Sequence, residues 1–269
     1  MSPNHFAWLD WGDTRYFATL PVESPVIFAD SAIVRLIQGI WEEYPEQARG
    51  ILRSRIFSTE SILTEMDWGM IKVVAKRVSL AGVFADLNTE PHDLSDRRWV
   101  AFSARPRHAV RIYDDATSRI RFESNSDAMK YAQVLANTVQ TNDVRYRSAR
   151  QIAAILVSHQ GELLAEAVNT SGFNRTLHAE VNLVQGYCAI TQQRLHRGAR
   201  IYTTLKSCKM CAGMIWTAAE DPMDLSVYFH QDDPGPHAQR TVFTCQSFER
   251  LRTCSQWGGS ASLEVEFQV

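Results

Sequence analysis

The chain has 269 residues, 45% of them hydrophobic, with a formal net charge of -2. That length supplies a well-packed core for one large domain or two ordinary ones. The near-neutral charge excludes a protein that coats nucleic acid by bulk electrostatics and leaves only local basic patches for that purpose.

The opening residues, MSPNHFAWLDWGDTRYF, lack the basic start and apolar run of a secretory signal, and the most lipid-like run, Ile152 to Val157, is too short to span a bilayer. The expectation is a cytoplasmic protein with no membrane partner. HFAWLDWGDTRYFATL reads as a hairpin, with Gly12-Asp13 between two alternating aromatic-rich runs. Asp30 or Ser31 caps a helix over AIVRLIQGIWEEY, and Ser61 to Leu80 carries the three-and-four spacing of a second helix. AVRIYDDATSRIRFE reads as another hairpin turning near Asp115 and Thr117. Together these make a small α+β unit, residues 1–123, whose function the sequence does not declare. Between Arg97 and Arg121 lie seven arginines (Arg97, Arg98, Arg105, Arg107, Arg111, Arg119, Arg121) interleaved with Trp99, Phe102 and Tyr113. That mixture suits phosphates and stacked bases, and it equally describes a solvated hairpin face.

The second unit, residues 124–269, starts with a polar cap and an amphipathic helix, SNSDAMKYAQVLANTVQ. It continues as strand QIAAILVSH, a turn at Gly161, strand LLAEAVN, a helix from about His178, strand ARIYTTL, a helix from about Cys208 and strand DLSVYFHQ. A short helix over CQSFERLRT and a last strand, SLEVEFQV, close the pattern. Strands alternating with helices predict a layered α/β domain around a buried sheet.

Five cysteines, an odd and unevenly spaced set, do not form a secreted disulfide framework, so reduced thiols or thiolate ligands are expected. TLKSCKMCAGMIW places Cys208 and Cys211 three apart. Alone, the pair fits a redox dithiol, half of a structural zinc site, or part of a catalytic metal site. Cys245 and Cys254, nine apart, are poorly spaced to complete a zinc knuckle. Upstream, NRTLHAEVNLV sets His178 and Glu180 at the start of an apolar helix, with 27 residues between Glu180 and Cys208. One imidazole and two thiolates are an accepted ligand set for catalytic zinc, which keeps its fourth position for water. All three stand where a strand gives way to a helix, so helix N-terminal dipoles favour the thiolates. Beside a metal, Glu180 can take a proton from an activated water and pass it to a leaving group; without one it is an ordinary first-turn carboxylate.

His178-Ala179-Glu180 followed by TTLKSCKMCAG resembles the zinc-dependent cytidine-deaminase-like superfamily, whose signature is H-x-E and then P-C-x-x-C. The stretch looks most like the tRNA adenosine deaminase branch, and the resemblance covers roughly Ser124 to Val269. It implies a three-layer α/β/α fold around a five-stranded mixed sheet, with zinc on His178, Cys208 and Cys211. It further implies proton transfer by Glu180, substrate contacts at Asn169 and Ala179, and a homodimer. The chain departs from the branch at Lys206 and Ser207, where glutamate and proline are usual; serine loosens the turn before Cys208 and adds a hydroxyl. Cys188, Met210, Met214 and Trp216 read as packing residues, although Trp216 also suits base stacking. His196, His230 and His237 lack partners at metal spacing, and His230 stands where a strand end can line the site.

In deaminases of this fold, free-nucleoside enzymes end in an antiparallel hairpin, whereas many polynucleotide-acting ones place a helix between the last two strands and run them parallel. The room between Gln231 and Leu263 points to the latter. The expected activity is therefore hydrolytic deamination of adenine or cytosine within RNA or another polynucleotide, with phosphates meeting Arg97 to Arg121 or RYRSAR at 145–150. Two readings stand beside it: deamination of a free base, nucleoside or nucleotide, and a catalytically silent nucleic-acid-binding subunit.

Overall fold

In the computed structural model, which describes residues 4–21, 29–58, 63–75, 80–81, 97–102, 106–113, 120–139, 150–243 and 254–256, the opening alternation forms a hairpin. β1 (Asn4–Trp11) and β2 (Thr14–Pro21) pair antiparallel, and Gly12 takes the positive φ of 61° that the short loop needs. Alternate residues, Ala7 and Leu9 on β1 and Tyr16, Ala18 and Leu20 on β2, enter the core. β3 (Ile56–Ser58), β4 (Leu80–Ala81) and β5 (Arg98–Phe102) extend this pair to a mixed five-stranded sheet in the order β4-β3-β1-β2-β5.

Ser31 caps α1 (Ala32–Glu43), its hydroxyl accepting from the Val34 N–H at 3.0 Å. The short α2 (Ala48–Ile51) follows. The second predicted helix is shorter than its periodicity suggests. Thr64 and Asp67 form a capping box that starts α3 (Glu65–Met70), and after one and a half turns the chain widens into a π-helical turn, Ile71–Ala75.

The second sheet is also mixed, in the order β11-β10-β9-β7-β8-β6. Its strands are β6 (Val110–Ile112), β7 (Ala153–Val157), β8 (Leu163–Val168), β9 (Arg200–Leu205), β10 (Ser226–Gln231) and β11 (Cys254–Gln256). β7 pairs antiparallel with β8 and β9, and β10 is parallel to β9 and to β11. Six strands replace the expected five because β6, which precedes residue 123, adds to the free edge of β8. The hairpin expected over residues 109–123 is corrected as well. Val110–Ile112 and Arg121 both lie antiparallel to the 162–167 segment, so they run in the same direction instead of pairing with each other. The turn residues Asp115 and Thr117, the CQSFERLRT helix up to residue 253 and SLEVEFQV lie outside the described residues.

α4 (Asn125–Ala136), capped by Ser124, packs Ala128, Met129 and Ala132 against Ile155 and Val157 of β7. The alternate β7 residues, Ala154 and Leu156, join a larger core with α5 (Ala179–Thr191) and α6 (Lys209–Ala218). Residues 179–188 of α5 are all buried, and on α6 only Lys209, Trp216 and Thr217 are not. Helices buried on every side, with Glu180, Asn182 and Gln185 among the buried residues of α5, must be covered on every side. The sheet covers one side; α1 and α3 from the first unit cover another, and the larger core is continuous across both units.

Two contacts fix that cover. A Cβ on Gly213 of α6 would overlap the Glu65 carbonyl oxygen, and one on Gly69 of α3 would overlap the Lys209 carbonyl oxygen, so the two backbones touch where only hydrogen fits. Gln38 of α1 donates to Gln185 of α5 at 2.7 Å, and Asn174, in the loop before α5, donates to Glu42 at 2.9 Å and to the Gln38 carbonyl at 3.1 Å. Among the described residues no helix is long and apolar enough to cross a membrane.

Candidate metal centre and active-site cavity

α5 and α6 begin in an unusual way. Their N-cap residues are His178 and Cys208, and neither side chain bonds to its own helix, the role that Ser, Thr, Asp or Asn normally fills. Both side chains turn toward each other instead. The Nδ1 of His178 lies 3.6 Å from the Cys208 sulfur and 3.5 Å from the Cys211 sulfur, and the sulfurs are 3.5 Å apart. Among the described residues this is the group of histidines, cysteines and carboxylates arranged to hold a metal ion.

The donor set fits zinc. Tetrahedral bonds of about 2.3 Å to sulfur and about 2.0 Å to nitrogen place two sulfurs about 3.8 Å apart and a sulfur and a nitrogen about 3.5 Å apart. The observed triangle matches to within a few tenths of an ångström and leaves a fourth direction free of protein donors among the described residues. The Cys211 thiol aimed at Cys208, together with His178, pushes the Cys208 pKa down, whereas burial pushes Cys211 up. Burial works against charge on His178, but the Cys208 sulfur beside it outweighs that and raises its pKa.

Glu180, in the first turn of α5, is buried to 3% exposure. Its Oε1 accepts a 2.9 Å hydrogen bond from the hydroxyl of Ser207. Burial, and then the Cys208 sulfur, push its carboxyl above the usual carboxylate range, while the Ser207 hydroxyl pulls the other way. Serine at 207 thus places a donor on the carboxylate, which a proline there cannot do.

His178, Glu180 and Cys208 line a cavity of about 500 Å³. Asn169 lines it too, already held by a 2.9 Å hydrogen bond from its Nδ2 to the Arg150 carbonyl and accepting from the Ser171 N–H at 3.3 Å. Cys211 is buried behind Cys208, and Ala179 is fully buried and does not line the cavity. The first unit supplies part of the wall through Trp41, Arg49, Arg53 and the π-helical turn at Val73–Ala75. Sequence pattern gives these residues no role. The one readable signal is the basic pair at 49 and 53, four apart, with Glu46 three residues before the first.

Other expectations divide. Arg150 and His237 line the cavity, but His230 is exposed outside it and Trp216 packs against Phe243. None of the described arginines from 97 to 121 lines the cavity: Arg98 lies on β5 of the first sheet, Arg111 on β6 of the second, and Arg97 pairs with Asp10. Arg105, Arg119 and residues 145–149 fall outside the described residues. Cys188 is a buried thiol within the core, as a packing residue should be. Cys245 also lies outside the described residues.

Residues 143–253 match the family model of the Bd3614-like deaminase. No curated protein matches the chain. Solved structures to which it is similar include one from work on tRNA:A34 deaminases and A-to-I editing at the wobble position of transfer RNA, 27% identical over 46% of this chain and 92% of that one, with a TM-score of 0.37. Guanine deaminase from Nitrosomonas europaea is 15% identical over 54% of this chain and 86% of its own, with a TM-score of 0.38. dCMP deaminase from the cyanophage S-TIM5 is 22% identical over 41% and 85%, with a TM-score of 0.30. The segment that carries His178, Glu180, Cys208 and Cys211 thus lies within a match to a deaminase family model, and that match spans 111 of the 269 residues.

Proposed function

We propose that the protein is a zinc-dependent hydrolytic deaminase of a nucleobase, adenine or cytosine, carried in RNA or another polynucleotide. The observation that carries this reading is the convergence of His178, Cys208 and Cys211 on one point of a cavity that Glu180 also lines. Zinc held there supplies Lewis acidity and lowers the pKa of a water to about 7. The chain's own part is proton movement and positioning. Glu180 takes a proton from the attacking water and returns it to the departing amine, which leaves as ammonia. Ser207 holds Oε1 of that carboxylate, so the second oxygen is the one left to exchange protons. Asn169, on the cavity wall, orients the base edge. The buried carboxylate beside the metal ligands supports catalysis over a silent binding role.

The parallel pairing of β10 with β11 supports a polynucleotide substrate, as the strand order of that branch implies. A free nucleotide is the second reading, supported by the wall that Trp41 and Val73–Ala75 place along the cavity. The proposed architecture is a three-layer deaminase domain, residues 124–269, joined to an α+β unit, residues 1–123. The proposed homodimer uses a surface other than the parts of α5 and α6 that α1 and α3 cover. Incubating the protein with single-stranded RNA, nucleotides and nucleosides, and identifying any deaminated base by mass spectrometry, tests this reading. A deaminated base in the RNA arm supports it; conversion of nucleosides alone, or of nothing, refutes it.

A further inference from the structure

Among the described residues, the cavity wall is strongly cationic. Arg49, Arg53, Arg150, Arg175 and Lys206 line it, against the carboxylates of Glu180 and Asp233. Asp233 faces Arg150 at 3.7 Å, and Lys206 is paired outside the lining with Asp232 at 2.9 Å. Arg49 and Arg53 are exposed and form no ion pair with any described residue. Like charges four apart on a helical turn repel, and a low-dielectric cleft of one sign concentrates its field on an incoming ion of the other. The guanidinium of Arg175 lies over the Trp41 ring, 5.7 Å from its centroid, which orients it on the same wall. The wall is fixed relative to the metal ligands: Asn174, next to Arg175 and four residues before His178, is bonded to Gln38 and Glu42 of α1.

We propose that Arg49 and Arg53 of the first unit, with Arg175 of the second, form a phosphate-binding site in the cavity, so that the substrate carries a phosphate beside its target base. This deepens the deaminase reading and rests on it for the identity of the base, though not for the phosphate. Guanidinium forks match phosphate oxygens in pairs, and the two arginines from α2 and the turn after it reach that anion from the wall opposite in sequence to the metal ligands. The first unit then selects the substrate class, and the second performs the chemistry.

The test is equilibrium binding by calorimetry with the zinc-loaded full chain carrying Glu180→Ala to prevent turnover. The probes are the four ribonucleosides, their 5′-monophosphates and a short mixed-sequence single-stranded RNA. The phosphate is expected to raise affinity by at least about tenfold over the matching nucleoside, and Arg49→Ala with Arg53→Ala to remove most of that gain at unchanged zinc content. Arg49→Lys with Arg53→Lys should keep part of it and so separates charge loss from misfolding. A gain seen with monophosphates assigns the site to a free nucleotide; a gain confined to the strand assigns it to an internucleotide phosphate. No gain from phosphate, or a gain that survives both alanine changes, overturns the proposal. Phosphate selection without turnover of any substrate by the unsubstituted chain would sink the deaminase reading alone.

Discussion

Gly213 sets a sign that helix propensity alone gets wrong. At an unobstructed helical position, changing glycine to alanine stabilises by roughly 0.5–1 kcal/mol, because the backbone loses less entropy on folding. Here the new Cβ would overlap the carbonyl oxygen of Glu65 and stand 2.7 Å from its carbon, where an ordinary contact is 3.4–4 Å. The obstacle is backbone, so no rotamer change relieves it. α3 is pinned by the Thr64–Asp67 box and by Ser31 donating to the same aspartate. α3 and α6 must therefore part by about 1 Å, and a gap of that size forfeits a quarter to a half of the dispersion energy across their contact. Overpacking costs of about 1–3 kcal/mol, taken at the upper end, exceed the propensity gain and leave Gly213→Ala destabilised by about 2 kcal/mol. For a chain of this size that lowers Tm by about 4–8 °C in a thermal melt followed by circular dichroism. Gly50→Ala is the control: its Cβ meets only the Trp11 ring, at 3.8 Å, so its Tm should hold or rise. A Gly213→Ala protein that melts at or above the unsubstituted temperature refutes the close approach of α3 to α6.

Ser207→Ala should lower kcat about tenfold or more with KM changed little, because it frees Glu180 without removing it, and Ser207→Thr should retain most of the rate; steady-state kinetics on whichever base is deaminated decides this. A fragment of residues 124–269 loses β6 from the sheet edge and uncovers α5 and α6, so it should bind a hydrophobic dye and lack the sharp near-ultraviolet spectrum of the full chain. A soluble, cooperatively folded fragment would show that the first unit is dispensable for the core.

Much of this fold is written locally. The hairpin around Gly12, the Ser31 and Ser124 caps and the strand–helix alternation from residue 153 to 231 are all signals spanning a few residues, and the structure repeats them. The cluster of His178, Cys208 and Cys211 is legible because helix starts put three potential ligands of two types at readable positions, and the structure brings them together. What sequence did not show is long-range. Alternation marks Val110–Ile112 as a strand but cannot say that its partner is β8, more than 50 residues away. Gly69 and Gly213 are visible as odd residues in helical runs, yet nothing near either names the other as its neighbour. Arg49 and Arg53 sit by a four-residue helix with no motif, and they reach the cavity only because α1 docks on α5.

The most direct test is X-ray absorption spectroscopy at the zinc edge on protein whose zinc content has been measured. One zinc per chain is predicted, with two sulfurs at about 2.3 Å and two nitrogen or oxygen neighbours at about 2.0–2.1 Å, one of them exchangeable. No bound zinc, or a closed shell of four protein donors, would contradict an open metal site on His178, Cys208 and Cys211.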